Sequence, residues 1–290
     1  MAILTLGDKL RLVDWPKALI GMVVTAVLAL SVHVVMLQVL NVPYPAGYPR
    51  AGWWVFGQVA LNVLSLMVFY RLATLEFARF NVVIRCLLLF LLAAMLREAL
   101  IRGPVMDGFA TTAWLFSFVS GLPRLITILI VSCLVVVTEP LVRRPWRLFL
   151  GAAAIAALVH FLCTPFIGVA FGHILESISY LSHDEVYKAP YGWQIEVPAY
   201  ITYLEPVVAC FITVALVSDG LSKHLLWRTL QFVLLVLAMN TILIRPIVYV
   251  FYAPFGPLTA LLSMGQFFLE ALALALLTVC NWSFSQRRRS

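Results

Sequence analysis

The sequence predicts an all-α polytopic membrane protein, a bundle of about eight transmembrane helices with the N- and C-termini inside. Three observations carry that expectation. Hydrophobic residues make up 63% of the 290 and charged residues 11%, against roughly 45–50% and about 25% in ordinary globular domains. The apolar residues gather into runs of spanning length, which takes about 20 residues at helical rise. Most Lys and Arg residues fall at alternate ends of those runs. With a mean hydropathy of +1.01, these features exclude disorder, a collagenous repeat and a disulfide-stapled secreted domain. They also leave no stretch long enough for a large catalytic domain in water.

The spans follow in order. The first, 19–40, comes after Lys9, Arg11 and Lys17 and is too long for a signal-peptide core, so it is read as retained. The second and third are 53–70 and 82–100. The fourth, 110–137, is interrupted by Gly121-Leu122-Pro123-Arg124. It reads as one kinked helix, or as a surface-lying or re-entrant piece followed by a short span. The rest are 148–171, 199–217, 225–252 and 258–282.

Orientation follows from basic residues near the span ends. With the N-terminus inside, 14 of the 20 Lys and Arg lie on the inner side. The remainder are Arg50, Arg97, Arg102, Arg124, Lys188 and Arg245. An even span count also keeps Arg287, Arg288 and Arg289 inside. The bilayer is the first partner implied, since inner-face basic groups touch anionic lipid. No soluble basic element interleaved with aromatics exists, so nucleic-acid binding is not expected. A bacterial inner membrane is the default location. The sequon Asn281-Trp282-Ser283 then lies at the inner face, where it carries no meaning.

Two outer loops differ in kind. Residues 41–52 hold Pro43, Pro45 and Pro49 among Tyr44, Tyr48 and flanking tryptophans, a stiff turn with an interfacial aromatic belt. The long loop 172–198 carries Glu176, Asp184, Glu185 and Glu196 against Lys188. Its residues 173–181 have helical spacing suited to the membrane surface. A loop of this length either caps the bundle or meets a membrane protein partner.

Polar groups inside apolar runs are the strong local signal, since an ionised side chain at mid-membrane costs about 2.5–3.5 kcal/mol on insertion scales. Glu205 and Arg245 sit at matching depths in consecutive spans, and each precedes a proline. They suggest an ion pair beside a water-accessible break, or a salt bridge that locks two kinked helices. Glu270 and His160 both fall near mid-membrane and suggest a proton relay, with bonding to neighbours such as Asn240 or Gln266 as the plainer alternative. Arg97, Glu98, Arg102 and Arg124 would make the outer half polar with basic groups in excess. That mouth suits an anionic small molecule or lipid headgroup, although snorkelling to the surface also accounts for the arginines.

Much is missing. The cysteines Cys86, Cys133, Cys163, Cys210 and Cys280 show no zinc, haem or redox spacing. Cys163 lies one turn from His160, but apolar surroundings disfavour the thiolate. No metalloprotease, nucleophile-elbow or phosphate-loop motif occurs, so no cofactor, metal or catalytic residue is assigned. Leu100-Ile101-Arg102 and Leu243-Ile244-Arg245 lie 143 residues apart. That echo would pair spans three and seven in a four-plus-four duplication, although the first spans of the halves do not align at that offset.

Three functions fit these features. The first is a permease-like transporter or transport subunit for an anionic small molecule or lipid-linked compound. Substrate contacts would come from Glu205, Arg245, Arg97, Glu98 and Arg124, with His160 and Glu270 relaying protons. The second is a non-enzymatic sensor or accessory subunit acting through a partner protein. The third is an intramembrane enzyme on a lipid-linked substrate, with Glu270 or His160 as acid or base.

Overall fold

A computed structural model describes residues 5–46, 52–110, 113–142, 144–182 and 191–286. The chain is 81% helix, with no strand among the described residues. A short α1 (Leu6–Arg11) is closed by a capping box in which the Thr5 hydroxyl accepts from the Asp8 amide. The Thr5 hydrogen bonds hold the Asp8 carboxyl below its usual value. Then come α2 (Trp15–Val34, prolonged by a π-helical turn to Val39), α3 (Trp53–Leu72), α4 (Thr74–Phe77), α5 (Val82–Leu96), α6 (Arg102–Ala110) and α7 (Trp114–Thr138). The second half holds α8 (Pro145–Leu158), running through a π-helical turn into α9 (Thr164–Ser177), then α10 (Trp193–Thr202), α11 (Leu204–Val217), α12 (Leu225–Met239), α13 (Arg245–Val250) and α14 (Pro257–Ser285).

Six helical stretches are long and apolar enough to cross a membrane: Trp15–Val39, Trp53–Leu72, Trp114–Leu141, Pro145–Ser177, Trp193–Val217 and Pro257–Ser285. The chain is thus a multi-pass membrane protein by the length and composition of its helices. Their outward faces agree. Leu19, Ile20, Val23, Val24 and Val27 on α2 and Phe161, Leu162, Phe166 and Val169 around α9 are all exposed. Apolar patches of that extent are stable only against lipid or a partner.

Where the sequence predicted long third and seventh spans, α5 and α12 are each 15 residues. Both stop short because the chain turns left-handed and restarts as α6 and α13. The interrupted fourth run is one continuous helix, α7, with Pro123 inside it. Residues 173–181 do not form a separate surface helix. Most of them continue α9, which ends at Ser177.

The halves repeat. Val82 and Leu225, Leu96 and Met239, Arg102 and Arg245, and Trp114 and Pro257 are each 143 positions apart, so the starts of three helices and the end of one recur in register. Trp15 and Pro145, which open α2 and α8, are 130 apart. The offset changes chiefly because the α8–α9 stretch, 33 residues, is longer than α2 with its π-helical turn, 25 residues. Packing repeats as well: α5 lies on α7 as α12 lies on α14, and α6 on α7 as α13 on α14. The halves interlock, since α5 packs against α11 and α12 against α3.

The tightest helix pair is α2 with α14. Asn281 Nδ2 donates to the Ala18 carbonyl at 3.1 Å, and a Cβ placed on Gly21 would fall 2.1 Å from Asn281 Oδ1. The sequon asparagine is therefore buried in a helix contact. At the same end of the bundle Lys9 Nζ reaches Asp219 at 3.0 Å and the Ala215 carbonyl at 3.0 Å, which ties α1 to the end of α11.

Candidate functional site

The two helix breaks face one another at the end of the bundle opposite the termini. Each is closed the same way. Glu98 has φ of 54° and Thr241 φ of 61°. The next amide donates back past each helix end, Ala99 to the Ala94 carbonyl at 2.9 Å and Ile242 to the Leu237 carbonyl at 3.0 Å. This is the six-to-one closure that normally employs glycine in the left-handed position. Here a glutamate and a β-branched threonine occupy it, and Glu98 and Thr241 both line the cavity between the breaks.

Groups orphaned at each break are satisfied by the opposite half. The Glu205 carboxylate accepts from the amides of Leu100 at 3.1 Å and Ile101 at 3.0 Å, and also from the amide of Arg102. Asn62, at the corresponding position 143 residues earlier, donates through Nδ2 to the Met239 carbonyl at 2.8 Å. Gln58 adds a bond to the Thr241 carbonyl at 3.2 Å. A carboxylate thus meets the free N–H groups that open α6, and an amide meets the free carbonyls that close α12.

Glu205 accordingly does not pair with Arg245. That expectation assumed that consecutive spans are neighbours, whereas α11 packs on α5, α14 and α2 while α12 packs on α3 and α14. The prolines that follow these residues do sit at breaks, since α10 and α11 part at Tyr203 and α12 stops at Met239 before α13 begins at Arg245. Pro206 and Pro246 both sit in the first turn of a helix, where the missing N–H costs nothing.

The cavity itself encloses about 680 Å³. Arg97, Arg102, Arg124 and Arg245 line it, with Glu98, Asp107, Glu196 and Glu270. Arg97 and Glu98 both reach it, although neighbours on a helix would diverge, because α5 ends at Leu96 and Glu98 reverses the chain. Arg102 is neutralised by Glu98 at 2.7 Å and lies over the Tyr203 ring at 5.1 Å. Arg124 donates to the Arg97 carbonyl. Arg97 Nε is shut from solvent without a hydrogen-bond partner. Among the described residues neither Arg97 nor Arg124 has a carboxylate within ion-pair distance.

Glu270 is buried in the cavity wall, and the imidazole beside it belongs to His33, Nδ1 to Oε2 at 3.7 Å. His33 also packs on Phe267 with ring centroids 4.9 Å apart. His160 is elsewhere, against Phe56 and Phe161 at 6.3 and 4.8 Å. The structure thus separates His160 from Glu270 and puts His33 in its place. Both histidines are lone polar residues in apolar runs, and the sequence offers no signal that selects between them.

One side of the cavity is covered by α10. Gln38 Nε2 donates to Glu196 at 3.1 Å, the Ser31 and Tyr200 hydroxyls share a bond of 3.0 Å, and Arg102 reaches the Thr202 hydroxyl at 3.3 Å. The far part of the 172–198 segment is therefore wall rather than free loop, while Asp184, Glu185 and Lys188 lie outside the described residues. Among the described residues no group of three or more His, Cys, Asp or Glu side chains could hold a metal ion. Cys86 and Cys133, unrelated in sequence, meet as free thiols across α5 and α7. Against known protein families, curated proteins and solved structures, the chain has no match.

Proposed function

We propose that the chain is a permease-like transporter, or a transport subunit, for an anionic small molecule or lipid-linked compound, with the cavity between the two helix breaks as its binding site. One observation carries the reading. Arg97 and Arg124 share a cavity of about 680 Å³, and among the described residues neither has a carboxylate within ion-pair distance. Arg97 carries the argument, because its Nε is shut from solvent and a guanidinium buried without a counter-charge costs several kcal/mol unless a ligand or water supplies compensation. Paired helix breaks that present charge inside a repeated bundle are also the arrangement many transporters use for substrate.

In this reading α5 with α6, and α12 with α13, cross the membrane as broken spans. The count is then eight, both termini lie inside, and the cavity opens to the outside of the cell membrane, a bacterial inner membrane by default. His33 and Glu270 take the proton-relay position that His160 and Glu270 were expected to fill.

Proteoliposome uptake of radiolabelled phosphate, glycerol phosphate and succinate tests this. The account predicts uptake of at least one probe, falling about tenfold or more in Arg97→Gln at equal reconstitution, the loss of one charge-assisted contact. No uptake of any probe, or uptake unchanged in Arg97→Gln, would overturn it. The His33–Glu270 pair also supports a second reading, an intramembrane enzyme with an acid–base pair in the same cavity. That reading predicts product from a lipid-linked phosphate in detergent without any vesicle, lost in Glu270→Gln, and unchanged product formation in that variant would end it.

A further inference from the structure

Beside the main cavity lies a smaller one of about 280 Å³ between α7 and α9. Arg97 and Arg124 line both, so the two arginines form the wall that they share. Beyond them the side cavity is bounded by Pro123 and Thr127 of α7 and by Thr164, Ile167 and Gly168 of α9. Its lining combines two guanidinium groups with apolar and hydroxyl groups.

The opening is local to the part of α9 around Gly168. The corresponding interface in the other half, α2 on α14, is shut: a Cβ on Gly21 would fall 2.1 Å from Asn281. Gly151, which matches Gly21 at the 130-residue offset, is closed as well, with a Cβ there 2.7 Å from Val142, whereas further along at Gly168 a Cβ would meet no atom within 4 Å. Neighbouring Phe166 and Val169 are 75% and 66% exposed, so the outer flank of α9 is a lipid-facing surface.

We infer that the ligand is an amphiphile, with a phosphate-type anionic headgroup on Arg97 and Arg124 and an apolar chain in the α7–α9 groove. This rests on the anion-binding reading of the main cavity and narrows it to substrates that enter sideways from the lipid. Arg97 Nε, buried and unpartnered, is the donor left for the headgroup. Beyond the headgroup the chain would lie against Pro123, Thr127, Ile167 and Gly168, and each methylene moved there from water strengthens binding about fourfold.

The test measures binding of methyl phosphate and decyl phosphate to the full-length protein in nanodiscs, with empty nanodiscs as the blank. The inference predicts decyl phosphate at least about tenfold tighter than methyl phosphate. Gly168→Leu and, separately, Thr164→Leu should remove that advantage, leaving methyl phosphate affinity and the melting temperature unchanged. Equal affinity for the two phosphates, or an advantage that survives both substitutions, would overturn the amphiphile and leave a free anion in the main cavity. If neither phosphate binds, the anion reading falls as well. The comparison of chain lengths needs no variant, so it decides even if both substitutions unfold the protein.

Discussion

Thr241 is the most strained residue of the site, a β-branched side chain at φ of 61°, where L-residues pay about 1–2 kcal/mol. Thr241→Gly should therefore raise the melting temperature, by the equivalent of about 1 kcal/mol, while altering the cavity edge. A drop would mean that the threonine side chain holds the break together. Glu205 and Arg245 should now behave differently. Glu205→Ala leaves three amides without their acceptor and should cost about 3 kcal/mol, seen as low yield or early melting. Arg245→Gln should fold normally and fail in transport. Equal loss of fold in both would contradict the separation drawn between them. The sequence singled out both residues because an ionisable group in an apolar run is legible. Their partners were not, since a carboxylate satisfied by backbone amides leaves no mark on spacing. His33 was missed for the same reason: only the approach of α14 to α2 makes it differ from His160.

Among helices, the α2–α14 pair is held by contact between small residues, so Gly21→Leu should overpack it against Asn281 and cost about 1–3 kcal/mol, read as a lower melting temperature. Gly168→Leu on the open α7–α9 groove should cost nothing by the same measure, because a Cβ there meets no atom within 4 Å. A similar loss at Gly168 would deny that the α7–α9 groove is open there. Most helices were legible from length and hydropathy alone and the α12–α13 break from Pro246, but the break between α5 and α6 was not. A left-handed closure at Glu98 or Thr241 lacks the glycine that would announce it. Pro206 and Pro246 pointed to broken spans, and each opens the helix that follows a break, α11 after Tyr203 and α13 after the stop at Met239. Pro123 is the converse case, a proline that α7 carries without interruption.

At the scale of the molecule, the pairing of spans three and seven that Leu-Ile-Arg hinted at recurs as boundaries 143 residues apart. It was faint in the sequence because packing preserves helix starts and breaks rather than side chains: Asn62 and Glu205 occupy matching positions with opposite hydrogen-bonding roles. Topology is testable at this scale with single cysteines introduced at surface positions and a membrane-impermeant maleimide. Tyr44→Cys and Tyr180→Cys should label on intact cells, and Arg144→Cys and Ser222→Cys only after permeabilisation. Labelling of the latter pair on intact cells would mean that α5 and α12 do not cross, and that the chain has six spans.

The central claim is that the cavity between the breaks holds an anion, and native mass spectrometry of the protein taken from its own membrane in mild detergent tests it most directly. The account predicts a bound anionic species on the unsubstituted protein that is absent from a folded Arg97→Gln variant. A spectrum showing only bare protein from both, or the same adduct on each, would contradict it.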